Sequence, residues 1–556
     1  MESIRKERDG ANKEVLSEDN NLQSIIYNMF IRSDFTIERK VKLEKQIDLL
    51  IQKYNQDSVI MGQESLETIE SHFMDSSIPA KPVEIDEYVE ILRDKILKNA
   101  THVNNPKYIG HMTTALPCFV EAISSLIVAI NQNVVKVETA KGLTPCERQV
   151  IAMIHKLLYK KDDMFYRQNM QRHDTSLGVI TSGGTIANIT ALWCARNKLF
   201  GPKDDFTGIE KTGFLNALKY YGYEDAVVIG PETMHYSFYK GATLLGLGEE
   251  NLIKIKCDSN GHISVEDLSE TVTLCRKRNI GIICIIGVAG TTSSGNIDPL
   301  TQIGELCQRE HIYFHVDAAW GGALAFSRKH HDLLNGIQYA DSITIDGHKQ
   351  LYVPMGCGMV IFKDLDTAGR IQKNTAYILR RKSADLGQFS IEGSRPAVSL
   401  YLHSALHLIG VKGYECLVDY GIEMIQCARS IIQKMQGVEL VGKQEINILN
   451  YRFIPDRLYA KWKAQDLAEK EQVEVSQFNI LIQKEQREKN QSFVSRTEVS
   501  YCSKGKTQAI TVLRMVIANP LTTREDIKQV LDEQKMITVE INRKKKRVNK
   551  EARNAR

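Results

Sequence analysis

From about residue 106 onward, short apolar runs alternate with amphipathic stretches. The runs 177–181, 226–229, 253–256, Ile280–Val288, 313–316, 342–345 and Gly358–Phe362 are too short for helices and are rich in branched residues, so they read as strands. Between them, 187–199 and 301–310 carry helical periodicity. Strand and helix in alternation predict an α/β domain with a mainly parallel sheet. Ile280–Val288 is apolar throughout, as befits a strand covered on both faces. Before this region, residues 1–105 are polar, helical in pattern and poor in glycine; a turn at Pro79 and Pro82 leads into a predicted helix over 85–97. This N-terminal helical segment reads as an arm or lid. After the large domain, 106–375, the loop-rich stretch 374–396 gives way to helix-forming sequence and then to mixed elements, including a strand at 510–517. Residues 376–540 therefore read as a loop and a smaller α+β domain. The basic run 541–556 reads as a solvated, frayed tail.

A chain of 556 residues is long enough for two or three domains. Its 72 basic and 68 acidic residues nearly balance, at a formal charge of +4, which provides no broad field for nucleic acid or a membrane surface. The most apolar stretch, 122–135, is broken by Ser124, Ser125, Asn131, Gln132 and Asn133, so no membrane span is expected. The first residues are charged and lack the apolar core of a secretory signal. Eleven cysteines, scattered and never spaced as CxxC, predict reduced thiols in the cytoplasm and no metal site. Chemistry on a small molecule is the reading that remains.

Three segments carry candidate chemistry. Thr181-Ser182-Gly183-Gly184-Thr185-Ile186-Ala187-Asn188 follows a strand and opens a helix, where unpaired N–H groups and the helix dipole favour an anion such as a phosphate monoester. It matches neither the dinucleotide fingerprint nor the P-loop. Phe314-His315-Val316-Asp317-Ala318-Ala319-Trp320 puts an acid at the end of a buried strand, the edge at which α/β sheets present ligand-binding groups. Ser342-Ile343-Thr344-Ile345-Asp346-Gly347-His348-Lys349 puts a lysine just past the next strand, 32 residues beyond the acid. Taken singly, these read as a helix cap, a structural ion pair and a turn lysine. Taken together, a phosphate cradle, an acid for a pyridinium nitrogen and a Schiff-base lysine are what pyridoxal 5′-phosphate needs.

His315-Val316-Asp317-Ala318-Ala319-Trp320 and Asp346-Gly347-His348-Lys349 resemble the signature of the group II pyridoxal-dependent decarboxylases, which act on glutamate, aromatic amino acids or cysteine sulfinate. The resemblance runs from about Asn105 to Pro520. It implies the aspartate-aminotransferase-like fold (fold type I), pyridoxal 5′-phosphate as cofactor, an amino-acid substrate and a homodimer. By the same resemblance Lys349 holds the cofactor, Asp317 faces its ring nitrogen and His235 stacks on the ring. Gly184 and Thr185 bind the phosphate with His348 beside it, Thr291 lies near the ring and Ala319 packs beneath it. Arg514 matches an arginine that reads a substrate carboxylate.

The segments 346–356 and 391–396 are most similar to a bacterial branch acting on aspartate. That implies decarboxylation of L-aspartate to β-alanine, feeding pantothenate synthesis. An acidic substrate needs two anion sites, for which Arg514, Arg395, His111 and the pair Arg380–Arg381 are candidates. Glutamate, cysteine sulfinate or an aromatic amino acid remain alternatives, since one CH₂ in a pocket is worth only about 1–3 kcal/mol. A catalytically inactive scaffold is the alternative of another class. The loop 384–396 lacks the tyrosine that serves as proton donor in many members of the family, and Tyr377 lies upstream of it.

Overall fold

Residues 34–56, 59–80, 82–258, 260–373, 383–503 and 506–554 are described, in a computed structural model of the chain. They fall into two compact units divided after residue 105, with 488–491 belonging to the first.

In the first unit the helix Asp34–Gln56 sends Lys42 and Gln46 to the carboxylate of Asp86 at 2.6 and 2.7 Å, and Tyr54 stacks on His102. The single helix expected over 85–97 is α-helical only through Ile85–Ile91. It widens into a π-type turn at Leu92–Ile96 and tightens at Leu97–Asn99.

The second unit contains two sheets. The larger has strands β1 (Gly178–Thr181), β2 (Asp225–Pro231), β3 (Leu252–Ile255), β4 (Ile280–Val288), β5 (Tyr313–Asp317), β6 (Ser342–Asp346) and β7 (Gly358–Phe362), in the order β1-β7-β6-β5-β4-β2-β3. Strands β3, β2, β4, β5 and β6 are parallel, and β7 runs antiparallel to both its neighbours. Every position of β4 after Ile280 is buried, as its unbroken apolar sequence requires. The helix Gly184–Leu199 lies against β4, β6 and β7 and buries Ala187, Ala191 and Ala195, small residues that let it approach the sheet closely. The register Val288↔Asp317 and Asp317↔Thr344 brings the ends of β4, β5 and β6 to one edge. This is the mainly parallel α/β architecture of fold type I.

The smaller sheet, β8 (Val438–Val441), β9 (Ile448–Phe453), β10 (Ser495–Ser503) and β11 (Lys506–Val516), is antiparallel in the order β10-β11-β9-β8. Leu513 and Met515 enter a core with Ile425, Phe478 and Val530 from three helices. Strand alternation therefore turns Arg514 to the opposite face.

The C-terminal helix, Arg524–Asn554, continues through residues expected to form a frayed tail. The stretch lacks glycine and proline, and the buried Ile537 and Ile541 anchor it. Among the described residues no helix is long and apolar enough to cross a membrane.

Candidate active site

The chain leaves β1 and enters the helix Gly184–Leu199 through Ser182-Gly183-Gly184. Gly183 has φ +154°, and a Cβ on Gly184 would lie 2.8 Å from Asp346 Oδ2, so the turn closes only with glycine. The first N–H groups of this helix have no intrahelical acceptor and face the cleft, at the positive end of the dipole. The Ser182 N–H donates to both carboxylate oxygens of Glu392 at 3.2 Å.

Asp317 ends β5 with 6% exposure and is held on both oxygens. Oδ1 accepts from the Ala319 N–H at 3.1 Å, and Oδ2 accepts from Asn188 Nδ2 at 2.9 Å. Asn188 is the hub of a buried relay. Its Nδ2 also donates to Ser237 Oγ at 2.9 Å, and its carbonyl oxygen accepts from His315 Nε2 at 3.1 Å. A carbonyl only accepts, so the His315 proton is on Nε2, and Nδ1 accepts from the Ser342 hydroxyl at 2.8 Å. Burial pushes the His315 pKa down to about 4, which keeps the ring neutral and the relay oriented. At the other end, His235 Nδ1 accepts from the Ser237 N–H at 3.2 Å and meets Ser237 Oγ at 2.9 Å. The proton of neutral His235 is thereby placed on Nε2. Burial lowers its pKa, with the nearby Asp317 charge opposing.

Lys349 follows β6 by three residues, and its Nζ lies 3.0 Å from Asp346 Oδ2. His348 donates from Nδ1 to the Cys357 carbonyl at 2.7 Å. Gly184, Thr185, His235, Asp317, Ala319, His348 and Lys349 together line one cleft of about 340 Å³, with Asp346, Asn188 and Tyr236.

Thr291, Arg395, His111 and Arg514 do not line this cleft. Thr291 stands directly behind the wall: its buried hydroxyl accepts from the Asn296 N–H at 3.1 Å and meets Ser294 Oγ, so it closes a loop, while its neighbours Gly290 and Thr292 line the cleft. Arg395 is engaged within the chain. Both of its terminal nitrogens are bound to Glu147, the two side chains are 6% and 4% exposed, and no fork is left for a substrate. Arg395→Ala strands a buried carboxylate, an expected loss of about 3–5 kcal/mol seen as a lowered Tm. The KM of the protein that remains folded is expected to be unchanged.

Arg514 is the other positive element, with His111 as an electrostatic neighbour. The His111 pKa is lowered first by burial and then by the charges of Arg514 and Lys349, so the three are electrostatic neighbours. Arg514 donates to Ser495 Oγ at 3.1 Å and forms no ion pair among the described residues, while its Nε is buried without a partner. Burial lowers its pKa to about 10, which leaves it cationic at neutral pH. Tyr377, Arg380 and Arg381 lie outside the described residues.

Sequence reading missed Asn188, Ser237, Asp346 and Glu392 as members of the site. Asn188 and Asp346 stood inside quoted motifs, and a polar residue on a buried helix face was the available signal. Glu392 reaches Ser182 across 210 residues, a contact without local trace.

Residues 68–454 match the pyridoxal-dependent decarboxylase conserved domain. The chain is 42% identical over 497 residues to the aspartate 1-decarboxylase of Aliivibrio fischeri, covering 89% of this chain and 91% of that one. It is 25% identical over 380 residues to the L-2,4-diaminobutyrate decarboxylase of Acinetobacter baumannii, covering 66% and 70%. In fold it is similar to the crystal structure of mouse CSAD in apo form, with a TM-score of 0.77 at 22% identity, covering 90% of this chain and 99% of that one. The residues of the cleft fit pyridoxal phosphate. Gly183, Gly184 and Thr185 bring a helix N-terminus with its unpaired N–H groups into the wall of the cleft, Asp317 is a fixed carboxylate at the strand edge, and Lys349 is an amine within the same walls.

Proposed function

The chain belongs to the pyridoxal-dependent decarboxylase family, and from that premise we propose that it removes the 1-carboxylate of L-aspartate, releasing CO₂ and β-alanine. The observation that carries the choice of substrate is the 42% identity, over nine-tenths of both chains, to a relative named aspartate 1-decarboxylase.

The roles are those the family resemblance implies, and they are supported by the shared position of these residues in one cleft. When bound, pyridoxal phosphate supplies an electron sink for the pair left behind by the departing carboxylate. Lys349 Nζ would anchor it, the N-terminal turn at Gly184 and Thr185 would take the phosphate with His348 beside it, and His235 would cover the ring. Asp317, an anion fixed by Asn188 and the Ala319 N–H, holds a proton on the ring nitrogen. A proton must replace the carboxylate at Cα, and Lys349 and His235 Nε2 are proton carriers in the cleft.

Aspartate carries two carboxylates with opposite needs. The one that leaves loses its charge, so a cation clamped on it would stabilise the ground state and slow the reaction. The other keeps its charge and is suited to the fork of Arg514, with His111 nearby. Arg514→Gln is therefore expected to lower kcat/KM for aspartate ten- to hundredfold, as a lost charge-assisted hydrogen bond of roughly 1.5–3 kcal/mol implies. The loss is expected mainly in KM.

A homodimer belongs to the same proposal. Leu126 and Val128 on the helix Phe119–Ile130, Leu408 on the helix Ser399–Leu408 and Val411 on the helix Gly410–Ile432 are 47%, 75%, 62% and 61% exposed and are suited to cover by a second copy. Sedimentation of the loaded chain tests it. A cytoplasmic site of action and supply of β-alanine to pantothenate synthesis complete the reading.

The test of substrate is CO₂ release by the loaded chain from aspartate, glutamate, cysteine sulfinate, 2,4-diaminobutyrate and tyrosine in parallel, with product identified. Turnover on aspartate at least tenfold above the others supports the proposal. A preference for another amino acid overturns the substrate and leaves the reaction class standing.

A further inference from the structure

Asp346 is the last residue of β6 and only 4% exposed, yet it is a carboxylate in the wall of the cleft. Its Oδ2 holds Lys349 Nζ at 3.0 Å and lies 3.7 Å from His348 Nε2. Its Oδ1 is buried without a hydrogen-bond partner. Both oxygens press against the glycine turn of the phosphate cradle: a Cβ on Gly184 would lie 2.8 Å from Oδ2, and one on Gly358 2.7 Å from Oδ1. The carboxylate therefore stands beside the first residues of the helix at whose N-terminus a phosphate would bind.

The charged surroundings make this placement consequential. Across the cleft stand Asp317 and His235, and on the far side of the turn Glu392 holds the Ser182 N–H. The Cys357 thiol lies behind, its pKa pushed up chiefly by burial and secondarily by Asp346. Lys349 is the cation that answers Asp346, with His348 as the other basic group near it. Once the Lys349 nitrogen is engaged by the cofactor, Asp346 keeps its charge next to an arriving dianion and has surrendered its partner.

We propose that Asp346 is a positioning residue that holds the Lys349 amine within the cleft of the unloaded chain and, by standing under the phosphate cradle, weakens the hold on the cofactor's phosphate. This inference rests on Lys349 being the anchoring residue. The carboxylate exchanges cofactor retention for a lysine kept aimed and paired until loading. A neutral amide of the same shape keeps the packing of the glycine turn but loses both effects: it no longer repels the phosphate, and it no longer holds an ammonium group.

The experiment is a pair of titrations of the full chain freed of cofactor, one with pyridoxal 5′-phosphate and one with pyridoxal, which lacks the phosphate. Visible absorbance and protein fluorescence report binding. The quantity read is the phosphate preference, the Kd for pyridoxal divided by that for pyridoxal 5′-phosphate. In Asp346→Asn this ratio is expected to rise at least tenfold over the parent chain, through tighter binding of the phosphate form and weaker binding of pyridoxal. Asp346→Ser is expected to move it the same way, which guards against a peculiarity of one side chain, and circular dichroism verifies that both variants fold. A ratio that is unchanged or lowered in the folded variants overturns the proposal. Failure of the underlying assignment is distinct: in that case Lys349→Ala retains the visible band.

Discussion

Lys349→Ala is expected to abolish the visible absorbance of the cofactor-loaded chain and to lower turnover on the order of 10⁴-fold or more, as removal of a covalent catalytic group does. The reason is scarcity. Lys349 is the one lysine among the residues lining the cleft, and it stands on the turn after β6, between the glycine cradle and the edge that carries Asp317. Among the described residues lining the cleft no other amine is available to replace it. Its side chain is 19% exposed, open enough for a cofactor to reach and enclosed enough to be held by Asp346 at 3.0 Å. Alanine leaves the strand and the turn intact, since the backbone of residue 349 bonds through its N–H to the Asp346 carbonyl. Tm is nevertheless expected to fall, because the buried Asp346 carboxylate loses its partner, and absorbance spectroscopy with a CO₂ assay reads the catalytic effect separately. Turnover near that of the parent chain would remove Lys349 from the mechanism.

Asp317→Ala carries the second large expected effect: a fall in kcat on the order of 10³-fold together with weaker retention of pyridoxal phosphate. An anion at the strand edge keeps the ring nitrogen protonated, and each pKa unit of that bias is worth about 1.4 kcal/mol. Asp317 is suited to the task because Asn188 and the Ala319 N–H fix its orientation and the chain supplies it with no competing lysine or arginine partner among the described residues. Alanine also frees one Nδ2 hydrogen of Asn188 in a buried place, so part of the loss is the relay to His235 losing its alignment. Kinetics of the loaded chain and the rate of cofactor loss on dialysis measure the two components. A variant that retains the parent kcat would exclude Asp317 as the ring's counter-ion.

The layout of the large sheet was legible because burial on both faces writes continuous apolar runs, and β4 and β7 appear in the sequence with the bounds they have in the structure. The meeting of Asp317 with Lys349 was legible for a related reason. The acid ends β5 and the lysine follows the end of β6 by three residues, and parallel neighbours in register present those ends at one edge. What escaped was decided by partners far along the chain. Arg395 has the chemistry of a substrate ligand, but Glu147, 248 residues away, takes both its terminal nitrogens. Thr291 and Thr292 are indistinguishable as residue types, and only the fold of the loop through Asn296 turns one hydroxyl inward and leaves the other in the cleft. The end of the C-terminal helix was missed because its charged residues match a solvated tail, while the buried Ile537 and Ile541 that tether it lie just before and at the very start of the basic run. Asn188 illustrates the remaining gap. A lone amide on a helix does not announce that it faces an aspartate, a serine and a histidine drawn from two other elements.

The most direct test of the central claim is reduction of the cofactor-loaded chain with borohydride, followed by digestion and mass spectrometry of the peptides. The account predicts the pyridoxyl phosphate increment on the peptide carrying Lys349, and its absence from the Lys349→Ala chain. An increment on any other lysine, or none on a chain that releases CO₂, would contradict it.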